Sequence, residues 1–250
     1  MEAYRAFAAL YDRLMDDVDY ERWAAHYLDL LGIQPGEKVA ELGCGTGELS
    51  IRVAKSGCDL LATDLSPDMV AVAQEKARQN GVRVQFAVQD MARFAVPRRV
   101  HAVFCGCDGV NYLTTLPQVS ACFSHVFDAL RPGGRFAFDI SAPAKLERMA
   151  GQMYGEDRDD VTYLWMNELH PERRTLEMAL TFFVREPNGL YRRFSERHVQ
   201  RIHRPDELTG LLQRAGFTDI SALSGMTMQP CTASDERIHF TARKPLATPT

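Results

Sequence analysis

Hydrophobic and polar positions follow two different periods along this chain. Between residues 36 and 140, short apolar runs of strand length alternate with segments whose apolar residues recur every three or four positions. The strands predicted in this part cover residues 39–42, 58–64, 82–88, 102–107 and 135–140. Five strands that alternate with helices predict a parallel, doubly wound α/β sheet.

After residue 160 the apolar positions recur every second residue. This alternation predicts three antiparallel strands, and Pro187-Asn188-Gly189 is a hairpin turn between the last two. The strands cover residues 161–165, 176–184 and 194–202, and an acidic turn is expected at 155–160. Such strands have no place in a parallel sheet. We therefore expect an antiparallel β insert that acts as a lid or a dimer surface.

The two ends of the chain complete the predicted organisation. Residues 3–17 carry one apolar face, and Asp19 can cap a second helix that Gly32 ends. Near the C-terminus, a helix from Pro205 and two more strands would complete a seven-stranded, mostly parallel Rossmann-like sheet. We expect an N-terminal helical cap over 1–32, a core over 33–142 and 203–244, and the β insert over 152–202.

The strand at 39–42 ends in a glycine-rich turn, Gly43-Cys44-Gly45-Thr46-Gly47. Its G-x-G-x-G spacing differs from the dinucleotide fingerprint G-x-G-x-x-G, because Glu48 takes the place of the third glycine. An anion there would repel a pyrophosphate, whereas Glu41 before the turn favours a ligand with an ammonium group. S-adenosylmethionine (SAM) is such a ligand. Asp64, about 20 residues beyond Gly43, is expected to bind the ribose that SAM and NAD share.

Four motifs in this order resemble those of class I SAM-dependent methyltransferases: residues 41–47, Asp64, the pair Asp90-Met91, and residues 130–135. The resemblance covers residues 36–140. In addition, residues 11–15 resemble the helix that covers SAM in a set of bacterial small-molecule methyltransferases. The resemblance implies SAM as the cofactor and S-adenosylhomocysteine as the product.

The resemblance also implies roles for individual side chains. Tyr11 would reach SAM, Leu65 and Met69 would pack on the adenine, and Asp90 would accept a hydrogen bond from the adenine amino group. Tyr11 and Met69 are equally compatible with core positions. The predicted cofactor-binding residues are Tyr11, Glu41, Gly43, Cys44, Gly45, Gly47, Asp64, Leu65, Met69, Asp90, Met91 and Cys107.

Methyl transfer from a sulfonium is an in-line displacement, so the protein mainly aligns the nucleophile and excludes water. A base is needed only when the nucleophile carries a proton. The loop after the fourth strand would face the methyl group, which makes Asp108, Asn111 and Tyr112 candidates for the catalytic site. His198 from the insert is a candidate base, and an ordinary strand position is the alternative for it.

Composition limits the classes of partner. The 250 residues carry a net charge of −4, so the chain as a whole does not attract nucleic acid or an anionic membrane. The six cysteines lack C-x-x-C spacing, and we expect reduced thiols and no metal site. There is no signal-like start and no apolar run long enough to span a bilayer. We expect a cytoplasmic protein.

The leading hypothesis is a methyltransferase that acts on nitrogen or oxygen of a small molecule. An RNA methyltransferase, a SAM-binding regulator without turnover and an NAD-dependent dehydrogenase are the alternatives. Binding of NAD without SAM would favour the last of these. A second copy of the chain, bound through the β insert, is the candidate protein partner.

Overall fold

The computed structural model describes residues 10, 12, 14–16 and 18–247. The first group of elements consists of α1 (Tyr20–Leu31), β1 (Lys38–Leu42), α2 (Glu48–Ala54), β2 (Asp59–Asp64), α3 (Pro67–Gln79), β3 (Gln85–Val88), β4 (Val100–Cys105), α4 (Leu116–Ala129) and β5 (Leu130–Ser141). The second group consists of α5 (Pro143–Met149), β6 (Met153–Asp157), β7 (Val161–His170), β8 (Thr175–Arg185), β9 (Tyr191–Arg201), α6 (Pro205–Arg214), β10 (Thr218–Ser224) and β11 (Arg237–Arg243). Short 3-10 turns at Met91–Arg93 and Gly109–Tyr112 follow β3 and β4.

Seven strands form one sheet in the order β10-β11-β5-β4-β1-β2-β3. The five strands from β3 to β5 are parallel, and β11 and β10 add an antiparallel pair beside β5. This arrangement confirms the predicted Rossmann-like α/β fold, with its mostly parallel sheet of seven strands. Parallel strands bring their carboxyl ends to one edge, which is where ligands bind in such sheets.

Side-chain caps and a glycine mark the ends of helices α1 and α3. The Asp19 carboxylate accepts a hydrogen bond from the Arg22 amide (3.0 Å), and Gly32 ends α1 in a left-handed conformation. The Ser66 hydroxyl likewise caps α3 by accepting from the Met69 amide at 3.3 Å. The helix predicted over 3–17 lies largely outside the described residues.

Apolar side chains cover both faces of the large sheet. On one face, α4 and α6 pack against β4, β5 and β11 around Phe123, Phe138 and Phe240, which are fully buried. On the other face, α1 and α2 pack with Trp23, Tyr27 and Leu49. The parallel strands are therefore buried on both sides, as their near-continuous apolar sequences require.

A second sheet consists of four antiparallel strands in the order β6-β7-β8-β9. Three of these strands confirm the predicted alternation, but the expected acidic turn at 155–160 was partly wrong. Residues Met153–Asp157 instead form the edge strand β6, which pairs with β7 and is exposed at every position. An edge strand without a buried face has no apolar alternation, so the sequence contains no signal for it.

The small sheet contacts the rest of the chain at two apolar clusters. Met69 of α3 packs with Val161 and Phe182, and Leu14 lies against the same cluster. Leu146 of α5 packs with Met178 in the other. The ranges of the cap, core and insert stay a prediction. No helix in the described part of the chain has the length and apolarity needed to cross a membrane.

The glycine turn is held against α3 at Gly47. Gly47 has a φ of 81°, and a Cβ on it would lie 2.9 Å from Ala73 Cβ of α3. Both features exclude a side chain, since the left-handed conformation disfavours L-residues and 2.9 Å is shorter than any real contact between two Cβ atoms. The third glycine of the turn therefore sets how closely α3 approaches β1.

We expect Gly47→Ala to destabilise the protein by about 2–4 kcal/mol, because backbone strain adds to the clash with Ala73. Gly36→Ala is the matched control, since Gly36 has a φ of 80° and no atom within 4 Å of its Cβ position. Urea denaturation measures both losses. Equal losses in the two variants would show that the contact with α3 contributes nothing.

Candidate functional site

The carboxyl ends of β1, β2, β3 and β4 meet at one edge of the large sheet. The residues that follow these strands include Gly43, Asp64, Asp90 and Asp108. Most of the residues predicted from the sequence therefore lie along one edge, at the position where parallel sheets bind nucleotides.

The glycine turn leaves open space at its centre. Gly45 has a φ of 53°, and no atom lies within 4 Å of the position that a Cβ would take. The turn is closed by a hydrogen bond from the Gly47 amide to the Cys44 carbonyl at 2.9 Å. Its backbone can thus approach a ligand without interference from side chains.

Asp64 joins the end of β2 to this turn. One of its carboxylate oxygens accepts from the Gly45 amide and the other from the Ser66 amide, each at 2.8 Å. Burial raises the pKa of this carboxyl above its ordinary value. Each carboxylate oxygen has two lone pairs, so both retain capacity to accept from a hydroxyl. This geometry suits a pair of ribose hydroxyls.

Glu41 lies in a different environment from the one expected. Its side chain is 2% exposed, and it accepts a hydrogen bond from the Ser50 hydroxyl. Burial raises the pKa of this carboxyl to about 8, so the folded protein holds it mostly protonated at pH 7. The anionic partner inferred for the ammonium of SAM is thus neutral in this structure, and the cofactor-binding role of Glu41 stays a prediction.

The predicted adenine contacts have different surroundings. Leu65 is 71% exposed beside Asp64, whereas Met69 is buried against the β insert. Asp90 caps the following 3-10 turn by accepting from the Ala92 amide at 2.9 Å, and Met91 Cε approaches Gly43. Leu65, Asp90 and Met91 therefore lie around the turn. Met69 of α3 instead packs against Val161 and Phe182 of the insert.

Tyr11 lies outside the described residues, but its neighbour Asp12 contacts the turn. The Thr46 hydroxyl and the Lys76 ammonium both donate to the Asp12 carboxylate at 2.5 Å. Lys76 also pairs with Glu48, the residue that replaces the third glycine of the dinucleotide fingerprint. Asp12 is thus held beside the glycine turn by charge-assisted hydrogen bonds.

Asp108 belongs to a partly buried ionic network. Arg237 NH1 donates to Asp108 Oδ1 at 3.0 Å and also pairs with Asp139, which is fully buried. Gln200 of β9 donates to Asp108 Oδ2 at 2.7 Å, and the Tyr27 hydroxyl donates to Asp139 Oδ1 at 2.9 Å. Both oxygens of Asp108 are therefore engaged in fixing the loop and the insert.

The loop that carries Asp108 has an unusual backbone. Cys107 and Asp108 both have a φ of 54°, which only a few per cent of non-glycine residues adopt. The Asp108 amide donates to Asp139 Oδ2 at 3.0 Å, which holds this conformation. Burial keeps the pKa of the Cys107 thiol well above its usual range, so the thiol is neutral. Strain at this level is typical of functional loops.

Asn111 is buried and its amide is fully used. Its nitrogen donates to the Ser141 carbonyl at 3.1 Å and to the Arg201 carbonyl at 3.0 Å, while its oxygen accepts from the Ser141 amide. It thereby joins the end of β5 to the end of β9. Asn111 therefore holds the turn after β4 against the ends of β5 and β9. A contact between Asn111 and the methyl group stays a prediction.

Tyr112 and His198 come together across the gap between core and insert. The Tyr112 hydroxyl lies 3.4 Å from His198 Nδ1, and the rings pack edge to face at 6.0 Å. Tyr112 is 45% exposed, and burial lowers the pKa of His198 below its ordinary value of 6.5. His198 is therefore neutral at pH 7 and able to accept a proton.

Sequence reasoning missed three members of this site. Asp139 is an isolated acid within an apolar strand, and such a residue indicates that a buried partner exists. Arg237 and Gln200 gave no local signal, because Arg237 is 98 residues from Asp139 and Gln200 is 92 residues from Asp108. Among the described residues there is no group of three or more potential metal ligands.

Comparisons with known proteins agree with this geometry. A methyltransferase-domain family model matches residues 39–134. The chain is 31% identical over 245 residues to a "Putative methyltransferase" of Geobacillus sp. (strain WCH70), covering 96% of this chain and 99% of the relative. A second relative of that description, YqeM of Bacillus subtilis (strain 168), is 31% identical over 243 residues. This alignment covers 96% of this chain and 97% of YqeM.

Solved structures extend the similarity to the whole fold. A SAM-dependent methyltransferase from Clostridium acetobutylicum superposes with a TM-score of 0.87 at 27% identity, covering 97% of this chain and 99% of that one. The SAM-bound structure of CalS10 from Micromonospora echinaspora gives 0.73 at 22% identity, with 91% and 92% covered. The chain therefore belongs to the class I SAM-dependent methyltransferases and is an enzyme with SAM as its cofactor.

Proposed function

We propose that this methyltransferase transfers the methyl group of SAM to nitrogen or oxygen of a small molecule. The observation that carries the proposal is the position of β9, whose His198 and Gln200 contact Tyr112 and Asp108 of the loop after β4. The antiparallel sheet thus lies beside the predicted position of the methyl group. A site closed in this way suits a small acceptor better than a long polymer.

Several structures with the same fold support a small acceptor. CalS10 is described as an amino pentose methyltransferase, and KedS8 from Streptoalloteichus as a sugar N-methyltransferase. At 22% and 17% identity these likenesses show the fold alone. They support the proposal because the four-stranded sheet of this chain would lie on the acceptor side of the same fold.

The residues at the glycine turn fit SAM. The open space at Gly45 leaves room for the cofactor next to the protein backbone. Asp64 has lone pairs for the ribose hydroxyls, and the exposed Leu65 offers an apolar surface to the adenine. Asp90 and Met91 would complete the adenine site. SAM supplies a methyl group activated by a positively charged sulfonium. The protein positions the acceptor in front of it and excludes water.

His198 is the residue we propose as the base for a protonated acceptor. When the imidazole proton resides on Nδ1, that atom donates to the Tyr112 hydroxyl oxygen, and Nε2 accepts the proton of the acceptor nitrogen or oxygen. Tyr112 would then orient the imidazole. Asp108 and Asn111 act as positioning residues, because their side chains are engaged by Gln200, Arg237 and the backbone.

Pairing of two copies through the β insert stays a prediction. The outer face of the small sheet exposes Met153, Leu164 and Met166, with exposed fractions of 68%, 43% and 53%. Apolar side chains gathered on one sheet face are typical of protein interfaces.

We expect Asp64→Ala to weaken SAM binding by about 1–3 kcal/mol, because hydrogen bonds from the ribose to a charged acceptor are lost. Isothermal titration calorimetry with SAM and S-adenosylhomocysteine measures the effect. Asp59→Ala, at the exposed start of the same strand, is the control and should bind normally. An unchanged affinity of the Asp64 variant would mean that another residue binds the ribose.

We expect Arg237→Met to destabilise the protein by about 3–5 kcal/mol, because it leaves the buried Asp139 without a counter-charge. Arg243→Met, at the exposed end of β11, should change stability by less than about 0.5 kcal/mol. Urea denaturation of both variants gives the comparison. Similar stabilities would show that the network does not hold the loop after β4.

We expect kcat to depend on the protonation of His198. The wild-type rate should rise with pH through the pKa of His198, below 6.5, and stay level above it, because the neutral imidazole is the active form. His198→Asn should lower kcat by about 10²–10⁴ and remove this rise while SAM still binds. His170→Asn, at the end of β7, is the control. A pH profile that survives in His198→Asn would exclude the base. The substrate for these kinetic measurements is the first amine or alcohol that the wild-type enzyme methylates in a screen of small molecules.

A further inference from the structure

The inner face of the β insert carries two acidic residues, Glu156 on the exposed edge strand β6 and Glu196 on β9. The register of β7, β8 and β9 places Trp165, Leu180 and Glu196 in one row across the sheet. The next row contains His198, paired with Met178. Side chains two residues apart on a strand share a face, so Glu196 and His198 lie on the same side of β9.

The row that contains Glu196 lies between the two clusters that join the insert to the core. On one side, Phe182 packs in the cluster with Met69 of α3. On the other side, Met178 packs in the cluster with Leu146 of α5. Leu180, directly opposite Glu196, borders both clusters. Glu196 therefore lies in the middle of the inner face of the insert, the face from which His198 contacts Tyr112.

Glu196 is buried on this face. It is 7% exposed, and its Oε1 has no hydrogen-bond partner in the described part of the chain. Arg193 and Arg197 alternate to the opposite face of β9, where Arg197 pairs with Glu177. Burial raises the pKa of Glu196. Because a buried carboxyl oxygen without a hydrogen bond destabilises a fold, its presence next to a candidate acceptor site points to a ligand.

We propose that Glu196 binds a positively charged amine of the methyl acceptor and so selects cationic acceptors over neutral ones. The inference rests on the proposed small-molecule acceptor site and adds the charge of its ligand. Trp165 is in the same row, and its indole nitrogen donates to Asn167 Oδ1 at 2.7 Å, which fixes the ring. Leu180 separates this ring from Glu196, so an ammonium group paired with Glu196 would lie on an apolar face that Leu180 and Trp165 form.

The spacing between Glu196 and His198 constrains the acceptor. Two residues along a strand separate their Cα atoms by about 6.6–6.8 Å. A small molecule can therefore contact Glu196 with an ammonium group while its nucleophilic atom lies near His198. A neutral acceptor would leave the Glu196 carboxylate buried and unpaired, which disfavours its binding.

The test uses the full-length protein loaded with S-adenosylhomocysteine. Benzylamine and phenethylamine are titrated against benzyl alcohol and 2-phenylethanol, their neutral counterparts, and NMR gives the dissociation constants. We expect the amines to bind about 10–100-fold more tightly, the ratio that a charge-assisted hydrogen bond provides. Glu196→Gln should reduce the ratio to about one. Glu168→Gln, on the exposed face of the insert, should retain it.

Two further measurements separate ligand binding from a structural role. With any amine that the enzyme methylates, Glu196→Gln should raise KM about tenfold or more with little change in kcat, because the lost contact is made equally in ground and transition states. The variant should also have a thermal midpoint equal to or above that of the wild type. A lower midpoint would assign Glu196 to stabilising the insert and overturn the proposal.

Other outcomes are equally decisive. Absence of any preference for amines in the wild type, or a preference that persists in Glu196→Gln, would overturn the role of Glu196. Methylation of neutral alcohols with no amine preference would leave the proposed function intact and reject this inference alone. Methylation confined to RNA or protein, with amine binding still dependent on Glu196, would reject the proposed acceptor class and not the cation site.

Discussion

Arg237 lies between two carboxylates, Asp139 near the end of β5 and Asp108 in the loop that follows the neighbouring strand β4. Each member of this group would be destabilising if buried alone, because a charge removed from water needs a counter-charge and hydrogen bonds. Together they satisfy one another, with Tyr27 and Gln200 as additional donors. The ring of Trp23 covers the guanidinium at 5.1 Å.

This network determines the geometry of the loop after β4. It holds Cys107 and Asp108 in left-handed conformations, and these direct the chain into the turn that presents Tyr112. Gln200 and Asn111 join the same loop to β9. The position of the insert is thus coupled to the loop after β4, which explains how a distant segment can bring His198 to Tyr112.

Charge is distributed unevenly across the site. On the cofactor side, burial leaves Glu41 protonated, while Asp64 is held by two backbone amides. On the loop side, the carboxylates are paired with Arg237. On the insert side, Glu196 has no such partner among the described residues. The insert side therefore has a buried acid whose Oε1 lacks a hydrogen bond in the described part of the chain, whereas the glycine-turn side depends on hydrogen-bond geometry.

Local patterns in the sequence determined the succession of strands and helices, the cap at Asp19, and the glycine turn with Asp64. These features follow from the period of apolar residues and from short spacings, both of which are written in consecutive residues. The edge strand β6, the ionic network of Arg237, the protonated Glu41 and the burial of Asn111 were decided only by tertiary structure. Each depends on residues that are distant in sequence, because burial and charge pairing arise only when separate segments pack together.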